Sequence, residues 1–113
     1  VPILYNLEQI VSLARNDTSY IRKMIDIFSE QATNTMAGIQ NAYAAKDTET
    51  IYQMAHRIKP SLDTMGISSL HTVIRQLEKS AKEGADLRLL APMIESVVST
   101  LTKVVTQLKE EKI

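Results

Sequence analysis

The 113-residue chain has no cysteine and no tryptophan, and only three glycines, three prolines, one phenylalanine and four tyrosines. Without cysteine, disulfides and thiolate metal sites are excluded, which fits a reducing compartment such as the cytoplasm. Thirteen basic and thirteen acidic residues cancel, so no global field draws the chain to nucleic acid or to an anionic membrane. No apolar run approaches the roughly 20 residues of a membrane span. The leading Val1-Pro2-Ile3-Leu4-Tyr5 is too short for a signal peptide. A glycine-rich phosphate loop of the GxxxxGK[ST] kind is missing, and with it the simplest nucleotide site. The first residue is valine rather than methionine, which suggests a domain taken from a longer protein.

What fills the sequence instead is Ala, Leu, Ile, Met, Lys, Glu and Gln between few breakers, a composition that favours helix. The length suits one domain, residues 1–113, with a single core. Leu7 to Ala14 forms a short apolar segment, and Asp17 or Thr18 can cap the next helix by accepting a backbone N–H. From Thr18 to Ala45 the apolar residues Ile21, Ile25, Phe28, Ala32, Met36, Ile39 and Tyr43 recur every three or four positions, as one helical face requires. Asp47 caps a third helix, whose stripe is Ile51, Met54, Ala55, Ile58, Leu62 and Met65, and Gly66 suits the left-handed residue beyond its end. Ser68 is the expected cap of a fourth helix carrying Leu70, Val73, Ile74, Leu77 and Ala81.

Glu83-Gly84-Ala85-Asp86 ends that helix, and a last one starts between Leu87 and Ala91. Pro92 fits a first turn and would kink a helix that began at Leu87. Leu90, Ile94, Val97, Leu101, Val104 and Leu108 alternate four and three apart, the spacing of a bundle seam. The methionines Met24, Met36, Met54 and Met65 read as core fillers. These segments predict an all-α protein: an antiparallel four-helix bundle with a short additional N-terminal helix.

Chemistry concentrates at Ala55-His56-Arg57-Ile58-Lys59-Pro60-Ser61. At about 100° per residue, His56 lies well away from the stripe centred near Ile51, Ile58 and Leu62 and faces solvent. Pro60 shares that outer side, and Lys59 sits on the flank. Inside a helix, Pro60 removes the hydrogen bond to the His56 carbonyl, at about 3 kcal/mol or more, softened where helices curve toward water. If the third and fourth helices form a hairpin around Gly66, Glu78 reaches the level of His56 and can orient the ring from one nitrogen. A neutral, outward imidazole can accept a phosphoryl group, with Lys59 offsetting the arriving charge and Arg57 assisting. The partner would supply Mg²⁺ and the activating carboxylates, so the chain itself needs no cofactor. His56 and His71 do not form a metal pair, since they lie on different helices without a third ligand. His71 reads as a surface residue. Arg57, Arg75, Lys79 and Lys82 read as a solvated face that could also favour an acidic partner site.

This run, with Met65-Gly66, Leu70 and Leu77-Glu78, resembles the histidine-containing phosphotransfer (HPt) domains of multistep phosphorelays, in detail over about 30 central residues and in helix layout over nearly the whole chain. The resemblance implies that His56 is the phosphoacceptor, that Lys59 meets the phosphoryl group, and that Glu78 orients the ring. It implies response-regulator receiver domains as partners, docking over Arg57, Pro60 and Gly66. It also implies a monomeric phosphocarrier rather than an enzyme, and suggests one module of a hybrid sensor histidine kinase. Pro60 stands where that family usually has glycine, which bears on docking and partner choice.

Two other readings stand beside it. The dimerisation and phosphoacceptor hairpin of a histidine kinase also carries an exposed histidine near a proline, usually five residues on rather than four, and would be dimeric. A helical adaptor bundle with an incidental His56 would sit in a protein without phosphorelay domains.

Overall fold

A computed structural model describes residues 2–112. Its helices are α1 (Glu8–Leu13), α2 (Thr18–Ala44), α3 (Thr48–Thr64), α4 (His71–Lys82) and α5 (Leu87–Lys109), and a 3-10 turn, Ser68–Leu70, leads into α4. No strand occurs among the described residues. α2 packs on α3 and α5, and α4 packs on the same two helices, so the four long helices close a ring around one core. At about 1.5 Å per residue the 27 residues of α2 span most of the 44 Å long axis. The all-α bundle with a short leading helix is the architecture expected from the periodicity.

Aspartates start three of the helices. Asp17 accepts from the backbone N–H groups of Ser19 and Tyr20, Asp47 from Thr50, and Asp86 from Arg88. Each is held below the usual carboxylate range, chiefly by its side-chain hydrogen bond: Ser19 on Asp17, Thr50 on Asp47, Arg88 on Asp86. Ser68 is not a cap. It opens the 3-10 turn, which ends in α4 with no side-chain cap. With Asp86 as its cap, α5 begins at Leu87 and Pro92 lies inside it.

The seam of α2 is Ile21, Ile25, Phe28, Ala32, Thr35, Ile39 and Ala42. Met36 and Tyr43 flank the core rather than fill it. The four-three alternation places the small Thr35 and Ala42 on the seam, while hydrophobicity favours their larger neighbours. In α3, Ile51, Ala55, Ile58 and Leu62 are buried and Met54 lies on the flank, its methyl over Gly38. Val73 likewise flanks the α4 seam of Ile74, Leu77 and Ala81. Burying a side chain such as Ile58 stabilises the fold by about 1.5–3 kcal/mol.

An 18-residue window of α5 reaches a mean hydropathy of 1.3, so by length and composition alone the helix could cross a membrane. The apolar residues interleave with Ser, Thr and charged ones, so no uninterrupted run signals this. In the bundle, Leu90, Ile94, Val97, Leu101, Val104 and Leu108 point into the core.

The first and last described segments meet. Gln107 accepts from Leu4 N–H and donates to the Pro2 carbonyl, and the Tyr5 hydroxyl donates to Glu111. Burial, and then the Glu111 carboxylate, raise the Tyr5 pKa well above its ordinary value. Asn6 N–H donates to the Met65 carbonyl at 3.0 Å, laying the N-terminal strap against the α3–α4 turn.

Candidate phosphoacceptor site

Helix α3 runs unbroken through Pro60 to Thr64, which keeps His56 and Pro60 one turn apart on the outer crest. His56 is exposed, with 60% of its side chain open to water, while Glu78 is only 15% and Lys59 24% exposed. Glu78 belongs to α4, one residue beyond the fully buried Leu77, so the packing of that seam sets its height on the bundle. Its Oε2 bonds Nδ1 of His56. Its Oε1 pairs with Lys59 Nζ at 2.6 Å. The fold therefore joins the three residues His56, Lys59 and Glu78 in one contiguous group.

The two contacts have electrostatic consequences. Partial burial alone would push the Glu78 carboxyl up. The hydrogen bonds from Lys59 and His56, and their charges, outweigh it and hold the carboxyl below its ordinary range. Glu78 is thus an anion at neutral pH. An anionic acceptor draws the imidazole proton to Nδ1, which leaves the lone pair of the neutral ring on Nε2. The hydrogen bond fixes one ring atom while the other nitrogen stays accessible, an arrangement suited to a nucleophile that must meet a group carried by another molecule.

The remaining site residues lie elsewhere around the crest. Arg57 and Pro60 fall on the α2 side of His56. Arg57 lines an open depression with Glu30, Asn34 and Met54. Pro60 lines an open apolar groove with Tyr20, Met24, Ile27 and Phe28, and Tyr20 and Ile27 are largely exposed there. Gly66 is not beside the histidine. It sits at the far end of α3 with φ +63°, and a Cβ on it would fall 2.7–2.9 Å from Asn6 Cβ, O and N. The left-handed backbone and the closeness of the N-terminal strap account for glycine at this position.

His71 lies near the turn, with Arg75 Nη1 3.0 Å from its Nδ1 and Asp63 Oδ1 at 3.6 Å. Among the described residues, no three His, Cys, Asp or Glu side chains converge as metal ligands. The periodicity did not single out Tyr52, whose ring centroid lies 5.9 Å from that of His56. Its one available signal was an aromatic residue one turn before the histidine.

Known proteins share this architecture. The family model described as Hpt domain matches residues 23–111. The crystal structure of histidine-containing phosphotransfer protein B from Pseudomonas aeruginosa PAO1 is similar in fold, with a TM-score of 0.83 at 21% identity, over 97% of this chain and 95% of that one. No curated protein sequence matches the chain. The chain belongs to the Hpt domain family, whose members carry phosphoryl groups on histidine in phosphorelays rather than act as catalysts.

Proposed function

We propose that Nε2 of His56 takes a phosphoryl group from an aspartyl phosphate on one response-regulator receiver domain and passes it to the aspartate of another. The observation that carries this reading is the Glu78 carboxylate, paired with Nδ1 of His56 on one oxygen and with Lys59 on the other. The Nε2 lone pair attacks phosphorus while the bond from phosphorus to the aspartyl oxygen breaks. The receiver carboxylate leaves, and the Nδ1 proton stays on the ring. Glu78 offsets the positive charge that the phosphorylated ring gains. Lys59 neutralises Glu78 and lends its ammonium to the phosphoryl oxygens. Onward transfer takes the same path in reverse.

Mg²⁺ and the activating carboxylates belong to the receiver in this scheme, so the chain acts as a phosphocarrier with no cofactor of its own. Arg57 and Pro60 form the docking rim on the α2 side, and Gly66 shapes the turn beyond it. In this reading the domain works as a cytoplasmic monomer and as one module of a hybrid sensor histidine kinase.

The test is incubation with phosphorylated receivers, then mass spectrometry under non-acidic conditions, since phosphohistidine is acid-labile. The expected result is one phosphoryl group on His56, absent from a folded His56→Gln variant. A label that persists in His56→Gln sinks the assignment. A dimer in sedimentation would overturn the monomeric state proposed here.

A further inference from the structure

Two contacts between α3 and α4 stand side by side. His56 meets Glu78, and one turn away Tyr52 meets Lys82, whose Nζ lies 5.5 Å from the tyrosine ring centroid. Tyr52 and His56 are four residues apart on α3, and Glu78 and Lys82 are four apart on α4, so the antiparallel helices align the two pairs as neighbouring rungs. The Tyr52 and His56 rings are tilted by 33° with centroids 5.9 Å apart, within the range of attractive aromatic contact. Tyr52 is half-buried and packs against the core, and the ammonium over its ring holds it in place. Its neighbour His56 is mostly open to water.

We infer that Tyr52 is a positioning residue for His56. The hydrogen bond to Glu78 anchors Nδ1 but leaves the ring plane free to swing about that anchor. The Nε2 lone pair lies in the ring plane, so in-line attack on phosphorus requires the plane itself to be set. A half-buried aromatic ring on the same helix, fixed from α4 by Lys82, supplies that second constraint. Tyr52 touches neither phosphorus nor the receiver aspartate in this role. It acts through the direction of the Nε2 lone pair.

This inference rests on His56 being the phosphoacceptor, so the experiment separates the two. Wild type and His56→Gln are first compared for labelling by a phosphorylated receiver. An unlabelled wild type fails the His56 reading itself. With His56 labelled, single-turnover transfer is measured against receiver concentration for Tyr52→Ala, Tyr52→Phe and Lys82→Met. Two-dimensional NMR of the imidazole reports the ring-proton shifts.

Tyr52→Ala is expected to lower the maximal transfer rate about tenfold through lost orientation. Its half-saturating receiver concentration should stay within about twofold, as contact with the partner is not the role assigned. The ring-current displacement of the His56 protons should vanish in Tyr52→Ala. Tyr52→Phe, which keeps the ring and loses only the hydroxyl, should restore both rate and shifts. Lys82→Met should give a smaller loss of rate with the aromatic shifts partly retained. A wild-type maximal rate in Tyr52→Ala overturns the inference. So does a loss that Tyr52→Phe fails to rescue, or one confined to the half-saturating concentration. If Tyr52→Ala does not fold, the Phe and Met variants and the wild-type shifts still decide, because undisplaced His56 protons in the wild type would exclude the contact.

Discussion

His56 and His71 are almost equally open to water, at 60% and 59% of their side chains, and each lies near a carboxylate and a cation. They differ in what holds those partners. Glu78 is 15% exposed and fixed by Lys59, and it accepts a hydrogen bond from Nδ1 of His56. Asp63 is 49% exposed, its Oδ1 is 3.6 Å from Nδ1 of His71, and its other oxygen pairs with Arg75 at 2.9 Å. Arg75 also directs an N–H at Nδ1 of His71. Guanidinium nitrogens only donate, so that ring nitrogen accepts and the proton moves to Nε2. One region leaves its free nitrogen as a lone pair, and the other as an N–H. Exposure alone does not make a nucleophile. The group that faces Nδ1, a carboxylate at His56 and a guanidinium at His71, sets which nitrogen carries the proton and which keeps the lone pair.

The largest expected effect is at the two imidazoles themselves. His56→Gln should lose all phosphoryl transfer from a receiver, while His71→Gln should match the wild type in rate and extent of labelling. Equal loss in both would erase the distinction. Next comes Glu78→Gln, which keeps the shape of the side chain and removes its charge. Transfer should fall about tenfold or more, in the range typical of partners that orient a functional histidine. The imidazole nitrogen shifts should show a mixture of tautomers in place of the Nδ1–H form. An unchanged tautomer would mean that the hydrogen bond does not set the proton.

Lys59→Ala should slow transfer less than Glu78→Gln and shorten the lifetime of the phosphohistidine. It also has a signature in pH. Burial raises the Glu78 carboxyl, but Lys59 and His56 bring it below its ordinary value of about 4.5. A carboxyl lowered in the folded state stabilises the fold fully above its unfolded pKa, and that stabilisation is lost as pH falls through the folded value. The melting-temperature gap between wild type and Lys59→Ala should therefore be largest near neutrality and close below about pH 4.5. A gap that persists in acid would assign the lysine to packing of its stem.

At the turn end, Gly66→Ala should reverse the pattern. The left-handed backbone and the Asn6 contact should lower stability by about 1–3 kcal/mol. Phosphoryl transfer well below the melting temperature should stay near wild type. Loss of transfer in a folded Gly66→Ala protein would tie the turn to docking after all.

Much of this contrast was legible in the residues. The angular offset of His56 from Ile51, Ile58 and Leu62 put it on the crest, and hairpin geometry around Gly66 brought Glu78 to its level. The aspartate caps were readable at Asp17 and Asp47. Other features were hidden for physical reasons. Thr35 and Ala42 are seam residues by position but not by hydrophobicity. Lys46 ends α2 in the left-handed region, φ 59°, without a glycine to mark it. The 3-10 turn at Ser68 depends on how the strap and α3 meet, which periodicity along one helix does not encode. Likewise the pairing of Lys59 with Glu78, and of Lys82 with Tyr52, depends on the register between two helices.

The smallest effect sharpens the comparison most. Arg75→Gln removes the donor on Nδ1 of His71 and the partner of Asp63. An exposed ion pair of this kind contributes about 0–1 kcal/mol, so the melting temperature should barely move. The His71 nitrogen shifts should change, because the ring is now free to place its proton on either nitrogen. If the arginine alone kept His71 silent, a phosphoryl label would appear at that residue. We expect none, because Asp63 stays half open to water, whereas Glu78 is only 15% exposed and is held by Lys59. A label at His71 in Arg75→Gln would reduce the difference between the two sites to a single hydrogen bond. Its absence, with the tautomer visibly changed, would show that the lone pair is necessary and that the fixed carboxylate makes it usable.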